Sequence, residues 1–127
     1  MNLIYKVIST FRPGEGRGGQ KLWFPKLTGS SQVDLYDIAK MLEKRTSAHG
    51  ADLALIIKAL VDLIPELLAD GKTVKLNELG IFRLHAKVTT SASPELVTAK
   101  NIRELRLSFI PDKYIKEELK KMKVKRG

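Results

Sequence analysis

The chain has 127 residues, no cysteine and a formal net charge of +9 at pH 7. That length holds one domain, or one domain with an extension, and 43% hydrophobic with 29% charged residues is the balance of a folded chain, not a disordered one. Disulfides, thiol chemistry and cysteine zinc sites are excluded, and neither a signal-peptide run nor the ~18 apolar residues of a membrane span is present, so the expected location is cytoplasmic.

Ile4 to Thr10 is rich in β-branched and aromatic residues and reads as a strand. The loop Pro13 to Gly19 fits G-x-G-x-x-G at Gly14, Gly16 and Gly19. A dinucleotide site requires a helix to begin inside that motif. Here Lys21-Leu22-Trp23-Phe24 follows, strand-like and then broken by Pro25, so the glycines read as a hairpin loop. Residues 1–30 are therefore expected to form an N-terminal β-hairpin extension, and 31–127 a single compact unit.

Leu35, Ile38, Ala39 and Leu42 fall at i, i+3, i+4 and i+7, one face of a helix. Asp34 is the expected N-cap, with Asp37 placing an acid in the first turn. Thr46-Ser47 interrupts the pattern, and Ser47 is expected to cap the next helix. There Leu53, Ile56, Ile57, Leu60, Ile64, Leu67 and Leu68 form a stripe, which Leu55, Ala59 and Leu63 widen almost all round. Such a helix must be covered on most sides. Pro65 lies inside it, removing one hydrogen bond; Gly71 ends it. Burying one Leu or Ile contributes ~1.5–3 kcal/mol, so leaving three or four exposed costs on the order of 5–10 kcal/mol. One short helix and a small sheet cannot cover that surface. A second copy can, and a homodimer is expected; cover by the hairpin is the rival.

Val74 and Leu76 start a strand, Asn77 and Gly80 bracket a reversal, and Ile81, Phe82 and Leu84 restart the chain as a ribbon. The return run, Thr98 to Phe109, places Leu105, Leu107 and Phe109 on one face and Glu104, Arg106 and Ser108 on the other. Asp112 is expected to cap a last helix whose buried face is Ile115, Leu119 and Met122. A basic tail follows, Lys120 to Arg126, part of it favoured by the helix dipole.

The stretch Val74-Lys75-Leu76-Asn77-Glu78-Leu79-Gly80-Ile81-Phe82 resembles the V-x-L-x-x-[FL]-G-x-F turn of the HU/IHF family of histone-like bacterial DNA-binding proteins. The resemblance runs roughly from Val33 to Met122, and residues 1 to about 30 resemble the N-terminal extension of a histone-like subgroup. It implies an α+β, HU/IHF-like intertwined dimer: two N-terminal helices, a small antiparallel sheet with a β-arm, and a short C-terminal helix, here with the added hairpin. Thr98-Ala99-Lys100-Asn101-Ile102 resembles the family's T-G-K-E-I return. The arm tip departs from the family's R-N-P, being Ala92-Ser93-Pro94, and Glu95 adds a negative charge. Pro94 thus stands either as a wedge between base steps or as a turn proline, and the arm reads as weakened, shortened or repurposed.

The charge is asymmetric. Residues 1–30 carry five Lys/Arg and one Glu, 31–84 seven basic and eight acidic residues, and 85–127 eleven basic and five acidic. Basic ends favour a polyanion partner. The DNA-binding residues expected are Lys87, Lys100, Arg103 and Arg106 in the arm, with Arg83 and Pro94, and Lys113 and Lys116 on the last helix, where the resemblance puts lysines beside the DNA backbone. No catalytic set emerges. His49 and His85 are isolated, and Asp62, Glu66 and Asp70 at i+4 spacing read as a solvated face. No enzyme activity, cofactor, metal, membrane or small-molecule substrate is expected. The expected function is architectural: nucleoid-associated, sequence-tolerant binding of duplex DNA along the minor groove, with bending or condensation. The alternative is an HU-like dimer that binds another protein. RNA is disfavoured, since Tyr114 is the lone aromatic of the basic C-terminal region outside strand cores.

Overall fold

A computed structural model describes residues 2–14, 16–29 and 31–127. The chain forms two compact units, one from residues 1–32 with 118–127, the other from 33–117.

In the first unit β1 (Asn2–Phe11) pairs antiparallel with β2 (Lys21–Leu27), Tyr5 opposite Leu27 and Phe11 opposite Lys21. Proline does not break the second strand: Pro25 lies inside β2, opposite Val7. β2 is an edge strand, where a sheet tolerates a missing N–H. The other edge of β1 is taken by β6 (Lys123–Arg126), which pairs parallel to it from Asn2↔Lys123 to Tyr5↔Arg126. The expected two-stranded extension is thus a three-stranded mixed sheet in the order β2-β1-β6. The basic tail, assigned by sequence to the 31–127 unit, belongs with the N-terminal strands. Four residues with one apolar side chain carry no strand signal of their own; the free edge of β1 supplies it.

The second unit begins with α1 (Leu35–Glu43). Asp34 Oδ1 accepts from the Asp37 N–H at 2.9 Å and Asp37 Oδ2 accepts from the Asp34 N–H at 3.3 Å, a reciprocal cap. The bond from the Asp37 backbone, above all, holds the Asp34 carboxyl below its ordinary 3.8. A lowered carboxylate stabilises the fold above its unfolded pKa, so this cap weakens as pH falls below 3.8.

α2 (Gly50–Ala69) runs through Pro65 and ends at Asp70, with Gly71 at φ +79°. Ser47 does not cap it. His49 occupies the N-cap without a side-chain bond. Glu43, the last residue of α1, instead accepts from the Gly50 N–H at 3.1 Å. A carboxylate there satisfies one orphan donor and complements the helix dipole.

β3 (Val74–Leu76), β4 (Gly80–Val88) and β5 (Ile102–Pro111) form an antiparallel sheet, and α3 (Lys113–Lys120) follows. Asp112 caps α3, accepting from the Tyr114 N–H at 3.0 Å. Of the face expected to be buried, Ile115 is half-buried, but Leu119 and Met122 are exposed, and Met122 lies beyond the helix.

In the β3–β4 turn the left-handed residue is Glu78, at φ +69°. Gly80, at φ +159°, has a backbone conformation that L side chains rarely adopt. It also needs space: a Cβ there would lie 2.6 Å from Phe109 Cε2 and would overlap the Ile110 carbonyl oxygen. The backbone oxygen cannot rotate away. Gly80→Val is therefore expected to cost about 2–3 kcal/mol by overpacking, read as a lowered Tm. A wild-type melting temperature would contradict the close approach.

Burial is sparse. Among the described residues the buried apolar set is Ala39, Leu68 and Val74. Along α2, Leu55 is 68%, Ile56 63% and Val61 56% exposed.

Candidate nucleic-acid interface

The β4–β5 ladder runs from Gly80↔Pro111 to Val88↔Ile102. Alternation divides it into two faces. Arg83, His85 and Lys87 stand opposite Ser108, Arg106 and Glu104 on one; Phe82, Leu84 and Ala86 stand opposite Phe109, Leu107 and Leu105 on the other. Phe82 and Phe109 meet with ring centroids 4.9 Å apart, fixing the base of the arm. Farther out the apolar face is open, with Leu107 57% and Leu105 64% exposed.

The polar face brings Arg83, Lys87 and Arg106 together. Arg106 Nε lies 3.4 Å from Glu104 Oε2, both side chains more than half exposed. Such a pair contributes at most ~1 kcal/mol and leaves the guanidinium available. His85 Nε2 lies 2.7 Å from Ser108 Oγ, which also donates to the Arg83 carbonyl at 3.4 Å. A register shift at Lys87/Val88 leaves Arg103 outside the regular pairing. Lys87, Arg103 and Glu104 line a shallow depression there.

Beyond the ladder, residues 89–101 fold into a compact tip. Thr98 to Asn101, expected to begin the return strand, instead makes a 3₁₀ turn over Ala99–Asn101. Asn101 organises it: its Oδ1 accepts from the Thr98 N–H at 2.9 Å, and its Nδ2 donates to the Thr89 carbonyl at 3.0 Å and to Ser91 Oγ at 3.0 Å. This tip presents Lys100 to solvent. Pro94 opens a second 3₁₀ turn, Pro94–Leu96, where its fixed φ suits the first position. On α3, Lys113 and Lys116 are exposed, and Lys113 Nζ lies 3.9 Å from Glu117 Oε1. The expected residues thus occupy three places: the polar face of the ribbon, its tip, and α3.

The sequence model of the HU-HIG family, described as an HU domain fused to wHTH, Ig, or glycine-rich motif, matches residues 1–126. The chain belongs to the HU-HIG family. The match takes in the three-stranded unit as well as the helices and arm. No curated protein matches the chain. Among solved structures, the HU-HIG chain is similar to the crystal structure of a "Putative bacterial DNA binding protein" from Bacteroides vulgatus ATCC 8482, with 17% identity and a TM-score of 0.65. The likeness covers 99% of this chain and 49% of that one, so this chain spans about half its length. It supports an HU-like α+β fold. Among the described residues no helix is long and apolar enough to cross a membrane.

Proposed function

We propose that this HU-HIG chain is an architectural DNA-binding protein that acts as a homodimer and takes duplex DNA with little sequence preference, serving the bacterial nucleoid without enzymatic chemistry. The observation that carries this reading is the two-stranded ribbon whose polar face gathers Arg83, Lys87 and Arg106, with Arg103 at the bulge and Lys100 at the tip. Cations spaced along a ribbon neutralise phosphates and release counterions, which supplies affinity without reading bases. A two-stranded ribbon also fits the minor groove, where a binder exploits DNA deformability to bend or condense it. Lys113 and Lys116 extend the cationic surface. The exposed stripe of α2 supports the dimer, since a free protomer would leave Leu55, Ile56 and Val61 in water. In this reading Pro94 is a turn residue.

A second reading has one observation in its favour. Leu105 and Leu107 form an open apolar strip on the arm, as a protein-binding surface would. A salt series on random duplex separates the two. With about four phosphates neutralised per protomer by arm and helix, the slope of log K against log salt is expected to be roughly −7 or steeper, from −0.9 per phosphate. A flat response would sink the DNA reading and favour a protein partner.

A further inference from the structure

Most of the chain's net charge belongs to the unit that does not contain the arm. The unit built from residues 1–32 and 118–127 carries ten Lys/Arg against Glu15 and Glu118, net +8, whereas residues 33–117, arm included, carry thirteen against twelve, net +1. Strands β1, β2 and β6 contain no acidic residue. Their register sorts the lysines. Lys6 stands directly opposite Lys26, while Lys123 and Lys125 sit beside Asn2 and Ile4. Even-numbered positions of β1 share one face, so Lys6, Lys26, Lys123 and Lys125 all emerge on it. All four are exposed, and none forms an ion pair among the described residues.

This arrangement has a cost and no evident structural return. Like charges directly opposite in a sheet are destabilising, and no neighbouring acid on these strands offsets Lys6 against Lys26. The patch spans two strand spacings across and four residues along, about 10 by 13 Å from the ordinary dimensions of a sheet. One strand of duplex DNA carries a charge every ~3.4 Å, so about four phosphates cover the same length.

We propose that the lysine face of the β2-β1-β6 sheet is a second phosphate-backbone site for duplex DNA, separate from the arm. The choice of DNA rests on the function proposed above; the site itself rests on the charge partition and the sheet register.

The test uses the full chain and a labelled random-sequence duplex, titrated by fluorescence anisotropy across a salt series. The variants are K6Q/K26Q/K123Q/K125Q, the same four positions changed to arginine, and the arm variant K100Q/R103Q/R106Q. If two of the four lysines per protomer meet phosphates, the glutamine variant of a dimer loses roughly 4 from the salt slope, at 0.9 per contact. The arginine variant keeps the wild-type slope. A glutamine variant with wild-type slope overturns the sheet site and leaves the arm reading standing. An unchanged arm variant beside a flattened sheet variant supports the sheet site and overturns the arm reading. Wild-type protein without salt-dependent duplex binding overturns both. Lysine acetylation of the wild-type protein supplies a readout independent of variant folding: duplex is expected to protect Lys6, Lys26, Lys123 and Lys125. Undiminished acetylation there overturns the site, as does protection by phosphatidylserine vesicles but not by duplex, which would assign the face to a membrane surface.

Discussion

Replacing Ile56 with aspartate is expected to unfold the chain, not to release a folded monomer. Ile56 lies in the second turn of α2 and is 63% exposed in the single protomer. If that exposure persisted in solution, the change would be a surface substitution, worth roughly 0.5 kcal/mol. If a second copy covers α2, the substitution removes ~1.5–3 kcal/mol of burial. It also places an unpaired carboxylate in an apolar interface, at a further cost of several kcal/mol. The total approaches the 5–15 kcal/mol that holds a typical domain together. With Ala39, Leu68 and Val74 as the buried apolar set among the described residues, a dimer formed on α2 would make interface and core the same surface and tie folding to protomer concentration. Circular dichroism with sedimentation at micromolar concentration decides the matter. The expected result is a folded wild-type dimer whose melting temperature rises with concentration, and an unfolded variant. A folded monomeric variant melting within a few degrees of wild type would remove the dimer from the proposal.

The parts of this fold legible in the sequence are those whose causes are local. The α1 start was readable because Asp34 and Asp37 cap each other within four residues. The apolar period of α2 and its stop at Gly71 are likewise written in adjacent residues. Features missed depend on distant partners. Glu43 reaches the Gly50 N–H across the α1–α2 connection, whereas the sequence alone points to the nearer Ser47 as the cap. Asn101 folds the arm tip through Thr89 and Ser91, twelve and ten residues away, which shortens the paired return strand to Ile102 onward. β6 has almost no signature because its partner lies at the opposite end of the chain. The turn sequence points to glycine at position 80 through its backbone angle, but the second constraint, the close approach of Phe109 and Ile110 on β5, has no local signature. The same separation governs the interface. Candidate arm cations follow from alternation along one ribbon, whereas the lysine face of the other sheet appears once β6 is laid beside β1.

The arm itself is tested by the triple change K100Q/R103Q/R106Q, expected to weaken binding by about the same factor on every duplex tried. Phosphate contacts position a protein without reading sequence, so their loss is uniform across sequences. Six cations removed per dimer would flatten the salt slope by up to about 5. The fold should tolerate the change. Lys100 lies in the exposed tip, Arg103 sits at the register shift, and the Arg106–Glu104 pair is solvent-exposed and contributes ~0–1 kcal/mol. Melting temperature therefore stays near wild type while binding falls. Glu104→Gln supplies a control of opposite sign. It removes the carboxylate 3.4 Å from Arg106 Nε and opposite Lys87, freeing both cations from a competing anion and easing the approach of a phosphate. Tighter binding from Glu104→Gln and weaker binding from the triple variant, at equal stability, would assign the polar face of the ribbon to the DNA backbone. Were both variants to bind duplex as wild type does, the ribbon would lose its role in DNA binding, and its open strip of Leu105 and Leu107 would become the feature to explain.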